Sequence, residues 1–230
     1  MTITSEAFVR LFQGRAGLSQ DGIAGADTLG ALDKVLPQRA RAMADPGAFF
    51  SALRRLTGSL NQAQVDTVNG LLASASHWST SWLAYGLATA WHEARMEPVE
   101  EIGKGRGKAY GKPGKYGQSQ HGRGLVQVTW DSNYEWLDAA AAEAGLIEPG
   151  ELLADFNLAL RPDIAALALV KGMEDGAYTT KRLADYLPDE LGTQPRFEAA
   201  RRIINGTDRK ELIAGYALKI QDGIMAGGWK

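Results

Sequence analysis

W-L-A-Y-G-L-A-T-A-W-H-E, residues 82–93, is the stretch that sets the architecture of this chain. Its first ten residues carry no charge and no proline, which predicts an apolar helix; the first ionisable groups arrive together at its end, as His92 and Glu93. Helical spacing recurs on both sides. Phe49, Phe50, Leu53 and Leu56 share one face; Val65, Val68 and Leu71 share another, in a helix that Asn61 is placed to cap. Further helical patterns cover 134–145, 162–173, 196–204 and 210–225, and the best strand candidate is short, 125–129. The expected class is mainly α with a minor short β element.

Composition narrows the function classes. With 230 residues the chain accommodates one medium domain, or a small module beside a larger domain. A net charge of −2 makes no electrostatic case for nucleic acid. There is no cysteine, so disulfides and thiolate zinc sites are excluded. His77, His92 and His121 lack ligand spacing, and H-E-A-R-M lacks the second histidine of H-E-x-x-H, so no metal is expected. The opening M-T-I-T-S-E-A-F has neither a basic nor an apolar signal region, and no uncharged apolar run reaches the roughly 18 residues that span a bilayer. Neither secretion nor stable membrane insertion is expected. In 210–225, Leu212, Tyr216, Ile220 and Ile224 fall on one face; with few basic residues beside it, that stripe reads as core packing rather than a membrane surface.

Two acids bracket the turn after the apolar helix. Glu93 ends the helix, and Glu101 stands eight positions later in M-E-P-V-E-E-I-G, residues 96–103. Hydrolysis of a glycosidic bond uses such a pair, one acid to protonate the leaving oxygen and one carboxylate to activate water or attack the sugar. An apolar helix end should desolvate Glu93 and raise its pKa, suiting it as the general acid, whereas polar, glycine-rich surroundings should keep Glu101 ionised. The competing reading is a solvated pair at a helix end. If 125–129 is extended, Gln127 and Thr129 share the face toward a cleft while Val126 and Val128 face the core. The competing reading there is a structural hydrogen-bond network.

Residues 103–124 hold eight glycines, with Lys104, Arg106, Lys108, Lys112, Lys115 and Arg123. No G-x-x-x-x-G-K-[ST] is present, so this is no phosphate cradle. It reads as a solvated surface loop, or as a basic patch for an anionic surface with Tyr110 and Tyr116 stacking on sugar rings. Upstream, Asp21-Gly22 and Gly25 mark a tight turn between the helical spacing of Phe8, Leu11 and Phe12 and a second short helix capped by Asp27 or Thr28. Residues 39–47, R-A-R-A-M-A-D-P-G, read as a linker broken at Pro46-Gly47.

From about residue 49 onward the chain resembles the glycoside hydrolase family 19 group of the lysozyme-like fold, and within it phage and prophage endolysins. The resemblance rests on F-F-S-A-L-R-R (49–55), 60–72, 82–93, 96–107, H-G-R-G-L-V-Q-V-T-W-D-S-N-Y (121–134), K-R-L-A-D-Y-L (181–187) and A-R-R-I-I-N-G-T-D (200–208). It covers about four fifths of the chain. It implies a lysozyme-like helical catalytic domain, with Glu93 and Glu101 as catalytic acid and base and Thr129 helping to hold the water. It places substrate contacts at Gln127, Asn133, Tyr134 and Asn205, and His92 is a further candidate, for sugar or for ordering Glu93. One departure matters: relatives carry a longer, threonine- and glycine-containing segment where this chain has Ala94-Arg95, so Glu100 stays a rival for the second acid. F-Q-G-R-A-G-L-S-Q-D-G-I-A-G-A-D-T-L-G-A-L, residues 12–32, resembles peptidoglycan-binding modules, with Asp21, Gly22 and Gly25 as its signature.

The combined expectation is a helical wall-binding module at 1–42 and a catalytic domain at 47–230. It acts without a cofactor as a monomeric muramidase with an inverting mechanism. Its partner is peptidoglycan glycan. It waits in the host bacterial cytoplasm until a holin releases it to the wall. A chitinase on the same fold and an inactive wall-binding protein are the alternatives.

Overall fold

The computed structural model describes residues 4–35 and 40–230. The chain divides into two compact units, Met1–Ala40 and Arg41–Lys230. In the first, α1 (Ser5–Arg15) starts at Thr4, whose hydroxyl accepts the Ala7 N–H at 3.3 Å, and α2 (Ala26–Val35) follows a turn. One buried amide organises this unit. Gln13 Nε2 donates to Asp21 Oδ1 at 2.7 Å, Thr28 Oγ1 at 2.9 Å and the Ile23 carbonyl at 3.0 Å, while its Oε1 accepts the Gly22 N–H. Asp21 also accepts the Ile23 N–H, and that bond, with the one from Gln13, holds its carboxyl below the usual aspartate range. Asp21 and Gly22 therefore build the turn. Neither Asp27 nor Thr28 caps α2, because the helix has already begun at Ala26; the Thr28 hydroxyl points back to the Ile23 carbonyl. Phe8, Leu11, Ile23 and Leu29 are all at least half exposed or close to it, and the buried side chains among the described residues of this unit are Gln13 and Thr28.

The second unit begins with a correction. Residues 36–39 lie outside the described residues, but 41–45 are no free linker. Ala42 and Lys230 exchange N–H···O bonds, and Ala44 and Asp45 donate to the carbonyls of Gly228 and Gly227. Pro46 opens a helix rather than breaking the chain. It stands in the first turn of α3 (Pro46–Thr57), where a missing N–H is harmless, and Asp45 caps that turn by accepting the Ala48 N–H at 2.9 Å. Then come α4 (Gln62–Ser74), with a reciprocal Asn61–Gln64 capping box, and α5 (Thr80–Ala94), capped by Ser79.

The fold is mainly helical, and α5 is its axis. Leu83, Ala84, Tyr85, Leu87, Ala88 and Ala90 are all buried, so the charge-free run is enclosed rather than merely amphipathic. Around and after it run β1 (Val99–Glu100), β2 (Arg123–Gly124), α6 (Asp131–Glu143), α7 (Glu151–Ala154), α8 (Pro162–Asp175), α9 (Leu183–Tyr186), α10 (Gln194–Ala200) and α11 (Lys210–Ala226), with 3₁₀ turns at Ala109–Gly111, Phe156–Leu160 and Arg201–Ile203. α11 packs along α5 and α3, α10 packs on α11, and α8 packs on α4. The α11 stripe is core at its end, where Ile220 and Ile224 are buried beside Ile213 and Ala217; Leu212 faces out. Among the described residues no helix is long and apolar enough to cross a membrane.

The only sheet among the described residues is one antiparallel pair, Val99 opposite Gly124 and Glu100 opposite Arg123. The expected strand at 125–129 is not extended. Arg123 and Val128 bond each other across a turn in which Gln127 takes φ 55°, so strict alternation fails: Leu125, Val126 and Val128 are all buried. Gly124, at φ 83°, cannot carry a side chain, because a Cβ there would lie 2.9 Å from the Ala159 carbonyl oxygen.

Near the start of α5, Glu174 of α8 accepts from the indole N–H of buried Trp78 and contacts His77 through the same oxygen. That contact raises the His77 pKa above 6.5, against the opposing pull of partial burial. Stabilisation by protonated His77 is thus fully present below the unfolded value and is lost as pH rises through the higher folded one. Comparing urea midpoints of the wild type and His77→Gln should show the larger gap at pH 5.5 and a shrinking gap by pH 8.5. A gap that grows with pH would reverse the sign.

Candidate active site

The C-terminal end of α5, the turn after it and β1 enclose an open cleft of about 620 Å³. His92, Glu93, Arg95, Glu97, Glu100, Glu101 and Gln127 line it, with Val99 and Ile102 as apolar rim. A smaller hollow of about 280 Å³ between α3 and α11 carries Arg55, Lys219 and Asp222 but none of the expected residues.

Glu93 does not end in an apolar socket. Its Oε1 accepts from Arg201 Nη1 at 2.7 Å; the Arg201 side chain is 1% exposed and that of Glu93 19%. Arg201 also donates Nε to the Asp208 carbonyl at 3.0 Å. The expectation of a carboxyl desolvated by apolar neighbours is corrected: its principal neighbour is a buried guanidinium, brought from 108 residues away by the turn after α10. Oε2 of Glu93 has no protein partner among the described residues. His92 beside it is kept below the ordinary histidine pKa, first by burial and then by Arg201, Arg209 and Arg95, with Glu93 opposing. It is neutral near pH 7.

The chain reverses after α5 through two successive left-handed residues, Arg95 at φ 51° and Met96 at φ 62°. For residues with side chains such strain costs about 1–3 kcal/mol each and persists only where the surroundings enforce it. Here Met96 is fully buried, Gln64 donates to the Arg95 carbonyl at 2.8 Å, and Asn61 donates to Glu97 at 2.6 Å. The capping residues of α4 thereby fix the turn that carries the cleft.

The two neighbouring glutamates differ sharply. Glu100 spends one oxygen on Lys104 at 2.8 Å and the other on buried His121 at 3.0 Å, and these bonds hold its pKa below the usual glutamate range. Glu101 is held by neutral donors, the Tyr110 hydroxyl on Oε1 at 3.0 Å and the Gly122 N–H on Oε2 at 3.2 Å. Tyr110 is pushed above its ordinary pKa by desolvation and by Glu101. Its ring meets Trp130 edge-on at 5.8 Å. Much of the glycine-rich loop is exposed, as expected of a surface loop, but Tyr110 is tied down within it. Gly105 and Gly111 cross so closely that a Cβ on Gly111 would lie 2.0 Å from the Gly105 carbonyl oxygen, and this crossing holds the Tyr110 turn. Tyr116 donates to Glu135 at 2.8 Å and packs against Phe156, which takes it out of the sugar-stacking role.

Of the remaining expected contacts, Gln127 lines the cleft, its amide fixed by the carbonyls of Val99 and Gly124, both at 3.0 Å. Thr129 is half-buried and lies outside the cleft lining, and Asn133 turns its amide back to the Thr129 carbonyl. Tyr134 is fully buried, stacked on Phe156 at 3.9 Å, its hydroxyl donating to the His121 carbonyl and accepting from Arg123; burial raises its pKa to about 12. Direct substrate contact by Tyr134 is thereby corrected to packing beneath the loop. Asn205 is exposed beside left-handed Gly206, at the end of the turn rather than in the cleft. In the first unit, Asp21 and Gly25 line a shallow hollow of about 170 Å³ with Gln13 and Thr28. Among the described residues no group of three or more His, Asp or Glu is gathered to hold a metal ion.

The sequence matches no protein-family model, and no curated protein or solved structure matches it significantly.

Removing one partner of a buried ion pair costs about 3–5 kcal/mol, because the other charge is left stranded. Glu93→Leu should therefore lower the free energy of unfolding in urea by that amount, while Glu93→Gln, which keeps an acceptor for Arg201, should lose less than half as much. Losses within 1 kcal/mol for Glu93→Leu would mean that Arg201 is satisfied by other groups.

Proposed function

We propose that the second unit is a lysozyme-like glycoside hydrolase acting on the β-1,4 glycan of bacterial peptidoglycan, as a muramidase of the endolysin kind. One observation carries the reading: of the four glutamates lining a single open cleft, Glu93 and Glu101 sit in chemically different settings, and acid–base cleavage of a glycosidic bond uses such a pair of carboxyl groups. The motif resemblance to family 19 glycoside hydrolases supports it. In this reading Glu93 gives its proton from Oε2 to the leaving glycosidic oxygen as the bond to the anomeric carbon breaks. Glu101 takes a proton from water as the water oxygen bonds that carbon from the opposite face, with inversion. Tyr110 and the Gly122 N–H aim the base. Glu101 is favoured over Glu100 because Lys104 and His121 already engage both oxygens of Glu100. The first unit is proposed as the wall-binding module, and holin-dependent release from the host cytoplasm belongs to the same proposal.

On permeabilised bacteria, Glu93→Gln and Glu101→Gln should each lower the lysis rate by about 10²–10⁴-fold while circular dichroism stays native. Glu100→Gln should retain more than a tenth of the activity. Tyr110→Phe keeps the ring against Trp130 but removes one hydrogen bond to a carboxylate, and should cost about tenfold in kcat. Should Glu100→Gln be inactive and Glu101→Gln active, the base is Glu100; near-wild-type lysis by folded Glu93→Gln removes the acid.

A further inference from the structure

The cleft contains a cation that none of the acid–base chemistry uses. Arg95 lines it two residues beyond Glu93, its guanidinium laid over the Trp91 ring at 4.8 Å from the centroid. Among the described residues no carboxylate lies within 4.0 Å of it, and its side chain donates no hydrogen bond to the protein. Every carboxylate of the cleft, by contrast, has a protein donor: Glu93 has Arg201, Glu97 has Asn61, Glu100 has Lys104 and His121, and Glu101 has Tyr110. Arg95 is therefore the cation lining the cleft whose donors are uncommitted among the described residues.

Arg95 is also held in place. Its N–H donates to the Trp91 carbonyl at 3.2 Å, its carbonyl accepts from Gln64, and the next residue, Met96, is locked in the core. A left-handed arginine is an unfavourable choice for a helix terminus, where glycine is the easy solution. The site thus presents a stacked, pre-oriented planar fork whose donors are all unspent, the form of side chain suited to gripping a carboxylate with two parallel bonds. In a cleft otherwise lined by four glutamates, an anionic ligand needs such a counterweight.

We propose that Arg95 with Trp91 forms a subsite for a carboxylate carried by the glycan, so that the cleft selects acidic over neutral β-1,4 amino-sugar chains. The proposal rests on the glycan-cleft reading above. The carboxylate comes either from a free lactyl ether or from the stem peptide, and the two sources are separable.

The test is equilibrium binding by calorimetry to the folded, full-length protein, which does not depend on turnover. The probes are the N-acetylglucosamine–N-acetylmuramic acid disaccharide with a free lactyl carboxylate, the same disaccharide bearing a dipeptide, and neutral chitobiose. The expected result is binding of at least one acidic probe tenfold or more tighter than chitobiose, a preference that falls with added salt. Arg95→Gln abolishes it and Arg95→Lys restores part of it, while chitobiose binding is unchanged in both. The acidic probe that wins identifies the source. No preference in the wild type, or a preference that survives Arg95→Gln, overturns the proposal. Equal loss for acidic and neutral probes also overturns it, since it marks a structural role. Absence of glycan cleavage by wild type counts against the glycosidase reading and leaves the binding comparison standing.

Discussion

A guanidinium that is almost wholly buried must meet an anion, and in this protein that requirement shapes the cleft. Arg201 reaches Glu93 from the turn after α10 and is itself anchored on the Asp208 carbonyl. The pair joins the end of the central helix to a segment more than a hundred residues away, so the carboxylate keeps its place only when the whole second unit is folded. It also divides the labour of the two Glu93 oxygens, one structural and one facing outward. Desolvating two charges is expensive, and a pair of this kind is poor evidence of stability for its own sake. Its value lies in orientation: Arg201 fixes one oxygen of Glu93 and leaves the other without a protein partner among the described residues.

The opposite wall of the cleft is built by different means. Two residues of β-structure bring Glu100 and Glu101 beside the loop strand, with their side chains in separate environments. Lys104 and His121 take Glu100, and neutral donors take Glu101. The loop that supplies Tyr110 is ordered by the Gly105–Gly111 crossing and by Ser119, whose hydroxyl donates to the Gly111 carbonyl and contacts His121. A string of glycines and lysines, much of it exposed, thus folds into an arm that carries one phenol.

Much of this was legible in the residues. A charge-free helix ending in His-Glu, an asparagine placed to cap α4, and two acids eight positions apart all follow from local rules of periodicity and capping, which act within a few residues. What escaped was non-local or conformational. Nothing about position 201 marks it as the partner of position 93, because an ion pair across 108 residues has no spacing. The segment 125–129 alternates like a strand, but left-handed Gln127 and the close approach of Gly124 to the Ala159 carbonyl bend it into a turn, sending Tyr134 into the core and leaving Thr129 beyond the cleft lining. Residues 39–47 carry linker composition, yet the part from 41 onward is paired to the chain's last residues, a contact that composition does not encode.

The central claim is that the Glu93–Glu101 cleft hydrolyses peptidoglycan glycan, and the products of digestion test it most directly. Mass spectrometry of purified peptidoglycan treated with the wild-type protein should find muropeptides with new reducing N-acetylmuramic acid ends, and none after treatment with folded Glu93→Gln. Reducing N-acetylglucosamine ends, free stem peptides with intact glycan, or equal product from wild type and Glu93→Gln would contradict the account.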